Sequence, residues 1–152
     1  MSHEVTLENV TARHVAAVRD RRPWTELGPK LIPLLDRVYV AVRAGQVVQP
    51  GQNLFIFRDG SDDEVTVEIG VEIASPLRAV DGIVSTTTLA GEVARTLHTG
   101  PYSGLRDAHQ AVRRFIREHG RRHANVWWEV YGHWQNDPAK LETEVFHAVL
   151  PA

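Results

Sequence analysis

From Glu64 to Ile73 apolar and polar residues alternate without a break. Val65, Val67, Ile69, Val71 and Ile73 fall on one side, and Glu64, Thr66, Glu68, Gly70 and Glu72 on the other. Successive side chains of a strand point to opposite faces, so this pattern predicts a strand with one core face and one face that is wet or turned to a cleft. Leu54-Phe55-Ile56-Phe57 predicts a short strand before it, joined through the polar hairpin loop Asp59-Gly60-Ser61-Asp62-Asp63. Further upstream, Val15 to Val18 reads as a strand, and Leu27, Leu31, Leu34 or Leu35, Val38 and Val42 recur at helical spacing. Pro33 lies inside that helix, where it removes a donor and crowds the preceding turn, so a late start or a kink is expected.

The second half repeats this order. Shifting the sequence by 78 positions brings Val15-Ala16 onto Val93-Ala94, Pro23 onto Pro101, Trp24 onto Tyr102, Thr25 onto Ser103 and Leu27 onto Leu105. Ile83 to Leu89 and Glu92 to His98 read as an extended pair broken by a bulge at Ala90-Gly91. After the turn Thr99-Gly100-Pro101, Ser103 is a suitable N-cap for a helix with the apolar stripe Leu105, Ala108, Val112, Phe115 and Ile116, stopped by Gly120. Asn125 to Trp134 and Glu142 to Leu150 complete the half as strands, joined by the turn-rich Gln135-Asn136-Asp137-Pro138. The expectation is an α+β fold of tandem strand-helix-strand-strand repeats, about 4–75 and 82–150, in a single domain over residues 1–152.

The segment richest in candidate chemistry is Trp127-Trp128-Glu129-Val130-Tyr131. Strand alternation puts Trp127, Glu129, Tyr131 and His133 on one face and Val126, Trp128 and Val130 on the other. A carboxylate in apolar surroundings calls for a cation, a hydrogen-bond donor or a proton to be moved; the plain alternative is an exposed Glu129 on an amphipathic strand. Trp24 and Tyr102 follow prolines at equivalent points of the repeats and suggest paired aromatic gates. Glu68 is a second carboxylate of interest, either solvated or facing the same cleft as Glu129. His119 and His123 stand four apart with Gly120 between them and no acidic ligand, a spacing better suited to a solvated helix end than to a metal, and no metal site is expected. His98 would orient a ligand or bond the backbone.

Composition narrows the options. Hydrophobic residues make up 43% of 152, enough for a sizeable core, and the formal net charge of -2 gives no drive toward nucleic acid or an anionic membrane. The arginine-rich helix face that includes Arg113, Arg114, Arg117, Arg121 and Arg122 reads as solvated or as docking an acidic partner, and no recognition-helix pair accompanies it. Without cysteine there are no disulfides, thiolate nucleophiles or cysteine-held zinc. No apolar run reaches about 18 residues and the start Met1-Ser2-His3-Glu4 is polar, so a cytoplasmic protein off the membrane is expected. Phosphate-binding glycine loops, GxSxG elbows and HExxH motifs are absent from the sequence, and no cofactor is expected.

Leu97-His98-Thr99-Gly100-Pro101-Tyr102, a following helix, and then Trp128-Glu129-Val130-Tyr131 resemble the GyrI-like small-molecule-binding domain. That family includes stand-alone gyrase-inhibitor-like proteins and effector domains fused to AraC-type and MerR-type regulators. The resemblance implies a pseudo-twofold pair of strand-helix-strand-strand units, both helices on one side of an antiparallel sheet, and a groove on the other side for flat lipophilic cations. By motif, Glu129 would be the ligand glutamate, with Tyr102 and Tyr131 as aromatics; alternation and the repeat add Trp127, Trp24, Glu68 and His133, and move Trp128 to the helix side.

Three functions follow from these residues and that resemblance. The first is a multidrug-type binding protein for planar, often cationic aromatic compounds. The second is a hydrolase of cyclopropane-bearing DNA-alkylating natural products, with Glu129 as base and Tyr131 or His133 assisting. The third is a protein-interaction module acting on gyrase or a regulator through Arg113 and Arg117. The chain carries no helix-turn-helix pattern, so direct nucleic-acid binding is not expected.

Overall fold

The computed structural model describes residues 3–48, 50–78 and 80–151. Among them the chain order is β1 (Thr6–Val10), β2 (His14–Pro23), α1 (Leu27–Arg43), β3 (Asn53–Arg58), β4 (Glu64–Ile73), β5 (Val84–Thr87), β6 (Gly91–Thr99), α2 (Leu105–Glu118), β7 (Arg122–Tyr131) and β8 (Glu142–Leu150). All pairings described within each unit are antiparallel. The fold is α+β, as the two apolar periodicities require. Contacts divide the chain into a unit of Ala12–Thr88 and a unit made of the segment up to Thr11 together with the chain from Leu89 onward.

In the Ala12–Thr88 unit the strands lie in the order β3-β4-β2-β5. The alternation of β4 does what its pattern demands, since Val65, Val67, Ile69 and Val71 are fully buried. Tyr39 on α1 donates its hydroxyl to Asn53 Oδ1 at 2.5 Å, and Asn53 stands opposite Val71, so α1 covers the valine face of β4. Its buried stripe is Leu34, Leu35, Val38 and Ala41. The helix begins at Leu27 and runs through Pro33 to Arg43, so it does not start late. On the opposite face of β4, Gly70 meets the β2 backbone so closely that a Cβ there would lie 1.8 Å from the Ala16 carbonyl oxygen.

The other unit has the order β1-β6-β8-β7 with α2 against it. Leu105, Ala108, Val112 and Ile116 of α2 pack on Ala94, Val145 and Val149, with Val5, Leu7, Phe115 and Tyr131 around them. Pro101-Tyr102 and Pro23-Trp24 both open single 3-10 turns with nearly equal proline angles (φ -59, ψ 149 and φ -59, ψ 144), so the repeat holds at atomic detail.

Four local expectations change. Ser103 lies inside the 3-10 turn, and α2 begins after Gly104 with no side-chain cap. The segments around Ala90-Gly91 do not form one bulged pair, because β5 pairs with β2 while β6 pairs with β1 and β8. The first strand of the final pair spans Arg122–Tyr131 rather than Asn125 to Trp134, and β1 had no clear pattern of its own. Glu68, on the face of β4 read as wet or turned to a cleft, is 1% exposed, so of the two its solvated reading falls.

Candidate functional site

Glu129 sits near the end of β7 and is 7% exposed. On the neighbouring strand it faces Val145, a residue of the α2 core, so its side chain lies on the helix-bearing face of this unit. Trp127, opposite His147, and Tyr131, in that core, share the face. Trp128 turns the other way and stacks on Phe146 at 5.5 Å. The alternation is as expected, but its assignment to sides is reversed: Glu129 does not lie on the face away from the helix, nor Trp128 beneath it. The reason is a residue that the sequence reading passed over, since α2 carries His109 to the carboxylate.

His109 Nε2 lies 2.7 Å from Glu129 Oε2, and the Tyr131 hydroxyl donates to Oε1 at 2.6 Å. Burial, then the charge of Glu129 and this hydrogen bond, raise the Tyr131 pKa above that of a free phenol, so the hydroxyl stays a donor. Tyr102, 39% exposed, meets Tyr131 edge-on at 5.4 Å between centroids. A path therefore runs from a half-exposed ring through a second ring to a buried carboxylate. Trp127 continues the wall, with the Arg113 guanidinium 4.9 Å over its ring and His147 stacked at 6.0 Å.

Behind Glu129 the polar chain goes on. His109 Nδ1 is 2.8 Å from His147 Nε2, and His147 Nδ1 is 2.7 Å from His123 Nε2. His147 has no exposed surface; burial first, then repulsion by any protonation of His109 or His123 and by Arg113, hold it well below the usual imidazole range. His123 is pushed down to about 4 by burial, then by Arg113 and His109. The rings run in series, and among the described residues no group of three or more His, Asp or Glu converges as a metal site. His119 instead stacks on Phe115 and bonds its carbonyl, so it forms no pair with His123.

Glu68 belongs to a different arrangement. In its own unit it lies on the face opposite α1, where Arg19 Nε and Nη2 reach Oε2 at 2.6 Å each. Arg58 Nε and Nη2 reach Oε1 at 2.9 and 2.8 Å, and the Thr86 hydroxyl donates to Oε1 at 3.0 Å. Two guanidiniums already neutralise it. Trp24, 38% exposed, donates Nε1–H to the Ser61 carbonyl at 2.8 Å. His133 is exposed and lies beyond the end of β7, apart from the Glu129 cluster. His98 bonds the Pro101 carbonyl at 2.8 Å and His3 at 3.0 Å, which braces the turn that presents Tyr102. The arginine face is partly used up: Arg113 is half-buried on Trp127, Arg121 pairs with Glu92 at 2.8 Å, and Arg122 caps the Pro151 carbonyl.

In this helix-bearing antiparallel unit one buried glutamate is met by a helix histidine and a tyrosine, with a second tyrosine packed on the first. The family model for the GyrI-like small molecule binding domain matches residues 3–150, and the chain belongs to that family. No protein of curated function matches it by sequence. Among solved structures it is similar to the C-terminal domain of EcmrR (TM-score 0.76, 18% identity, 100% of both chains). It is also similar to SAV2435 bound to tetraphenylphosphonium (TM-score 0.67, 12% identity, 97% of this chain and 94% of that one). A third similar structure is a hydrolase from Listeria innocua (TM-score 0.61, 10% identity, 97% and 92%). At these identities the likeness is one of fold. No helix among the described residues is long and apolar enough to cross a membrane.

Proposed function

We propose that this domain binds lipophilic aromatic cations at Glu129, with Tyr131 and Tyr102 as the aromatic approach and Trp127 as the inner wall. The observation that carries this reading is the contrast between the two buried glutamates. Glu68 is met by two arginines, whereas both oxygens of Glu129 are met by a phenol and an imidazole, and no Arg or Lys among the described residues pairs with it. A buried carboxylate without a permanent countercharge favours an incoming cation, and flanking rings add cation-π attraction of about 0.5 to 2 kcal/mol each. Trp127 already holds the Arg113 guanidinium, so cation-π contact is the chemistry of this wall. That a similarly folded protein holds tetraphenylphosphonium agrees with this chemistry.

The test compares tetraphenylphosphonium with tetraphenylborate, which has the same shape and opposite charge, by equilibrium dialysis. The cation is expected to bind and the anion not. Glu129→Gln, by removing one charge of a buried pair, weakens the cation by about 2 kcal/mol, roughly thirty-fold. Equal binding by wild type and variant defeats the proposal. The hydrolase reading draws on one specific observation, the histidine chain behind Glu129, because a general base needs its proton handled. Turnover of a cyclopropane-bearing alkylator to its ring-opened product, lost in Glu129→Gln, would establish it, and binding without turnover would set it aside.

A further inference from the structure

The chain of side chains ending on Glu129 has a direction, and one main-chain amide sets it. Asn125 donates its N–H to His123 Nδ1 at 3.0 Å; an amide N–H can only donate, so Nδ1 is the acceptor and the proton of His123 resides on Nε2. His123 Nε2–H then donates to His147 Nδ1, His147 Nε2–H to His109 Nδ1, and His109 Nε2–H to Glu129 Oε2. Each ring accepts at Nδ1 and donates at Nε2, which describes three neutral imidazoles leading to a carboxylate. The reverse polarity would set His123 Nδ1–H against the Asn125 N–H. Asn125 is held in that position by a left-handed φ of 59°, at the point where the β7 register slips between His123 and Trp127.

We propose that His123, His147 and His109 are a proton relay that lets Glu129 take up and release a proton while it stays buried. A proton from water adds to Nδ1 of the partly exposed His123, whose Nε2 proton passes to His147 Nδ1. His147 passes its Nε2 proton to His109 Nδ1, and His109 passes its own to Glu129 Oε2. One proton has entered, one carboxylate has become a carboxylic acid, and all three rings have changed from the Nε2–H to the Nδ1–H tautomer. The cost is one lost hydrogen bond, from Asn125. Withdrawing the proton reverses every step.

The surroundings support transfer rather than storage of charge. Facing the relay are Arg113 of α2, Tyr131 of β7 and Tyr102 of the turn before α2. Burial first, and then neighbouring charges that include Arg113, disfavour a lasting positive charge on His123 and His147. His147 also occupies a position between Val145 and Val149 that an apolar residue would fill more cheaply. The inference rests on the hydrogen-bond chain alone, so it stands or falls separately from the ligand proposed above.

Long-range proton–nitrogen spectra of ligand-free, 15N-histidine protein read the tautomer of each ring. The expectation is Nε2–H for all three at neutral pH, followed on acidification by a joint change to Nδ1–H as the Glu129 carboxyl carbon reports protonation. A charged or Nδ1–H ring among them at neutral pH, or three rings that change independently, overturns the relay. In His123→Phe, altered at the partly exposed end, His147 and His109 keep Nε2–H on acidification instead of changing together with the carboxyl carbon; in His147→Phe the same is expected of His109. A joint change that persists in a folded variant overturns the proposal too, and if one substitution prevents folding, the other and the wild-type spectra still decide.

Discussion

Replacing Glu68 with Gln separates a structural anion from a ligand-binding one. The amide keeps its carbonyl oxygen for Arg58 and Thr86, but its NH2 group then faces the two Arg19 donors that stood 2.6 Å from Oε2. Hydrogen bonds to a charged partner contribute about 1.5 to 3 kcal/mol, and breaking a fully buried pair costs about 3 to 5 kcal/mol. Arg19 has half its side-chain surface in water and can turn outward, whereas Arg58 is 20% exposed and keeps a weakened bond. A loss of about 2 to 3 kcal/mol follows, or about 5 to 10 °C in Tm for a chain of this length. Urea and thermal unfolding measure it, and dialysis with tetraphenylphosphonium on the same sample is expected to show affinity within about two-fold of wild type, the change of a site that shares no partner with Glu129. A variant that melts with the wild type but loses the cation ten-fold would refute the reasoning, because the charge of Glu68 would then be serving the ligand rather than its arginines.

Other substitutions probe the remaining features. Gly70→Ala drives a Cβ into the Ala16 carbonyl, a backbone clash no rotamer relieves, and is expected to leave little soluble protein; Gly28→Ala in α1 meets open space and should raise stability by up to about 1 kcal/mol in urea titrations. Tyr131→Phe strips one donor from a buried carboxylate and should cost about 1 to 3 kcal/mol by the same method, with no loss if that oxygen is hydrated. Because His123 and His147 titrate below the free imidazole value of 6.5 in the folded chain, the unfolded chain binds more protons as pH falls from 6.5 toward 4. Stability should therefore drop through that window, and His123→Phe should flatten the drop in Tm measured against pH.

The strands β4 and β8 and both helices were legible because each carries a complete period of its own, running from Glu64 to Ile73 or from Leu105 to Ile116. Glu129 and Tyr131 were legible as chemistry because charge amid aromatics is rare in a strand. What their sequence could not say is which face α2 would cover, since alternation divides residues into two sets without naming the inner one. His109, His147 and His123 come from three elements 38 and 24 residues apart, a distance over which periodicity carries no information. A weaker signal existed: His147 stands in the buried register Thr143, Val145, His147, Val149, and His109 lies between Ala108 and Val112 on the apolar side of α2. The arginines of Glu68 were not legible for a related reason, because they lie on β2 and β3 and meet it only through strand pairing.

The pairing of β1 with β6 sets an order on synthesis. Val10 stands opposite Gly91, 81 residues later by subtraction, and the whole Ala12–Thr88 unit lies between them. At roughly 5 to 20 residues per second, a ribosome needs about 4 to 16 seconds to supply the partner strand, long enough for the intervening unit to close first. During that interval the nascent β1 has an open edge and apolar residues such as Leu7 uncovered. Strand β1 is thus made before the unit it brackets and placed after it, and mutations in β1 should show themselves in yield during expression before they show in the stability of the finished protein.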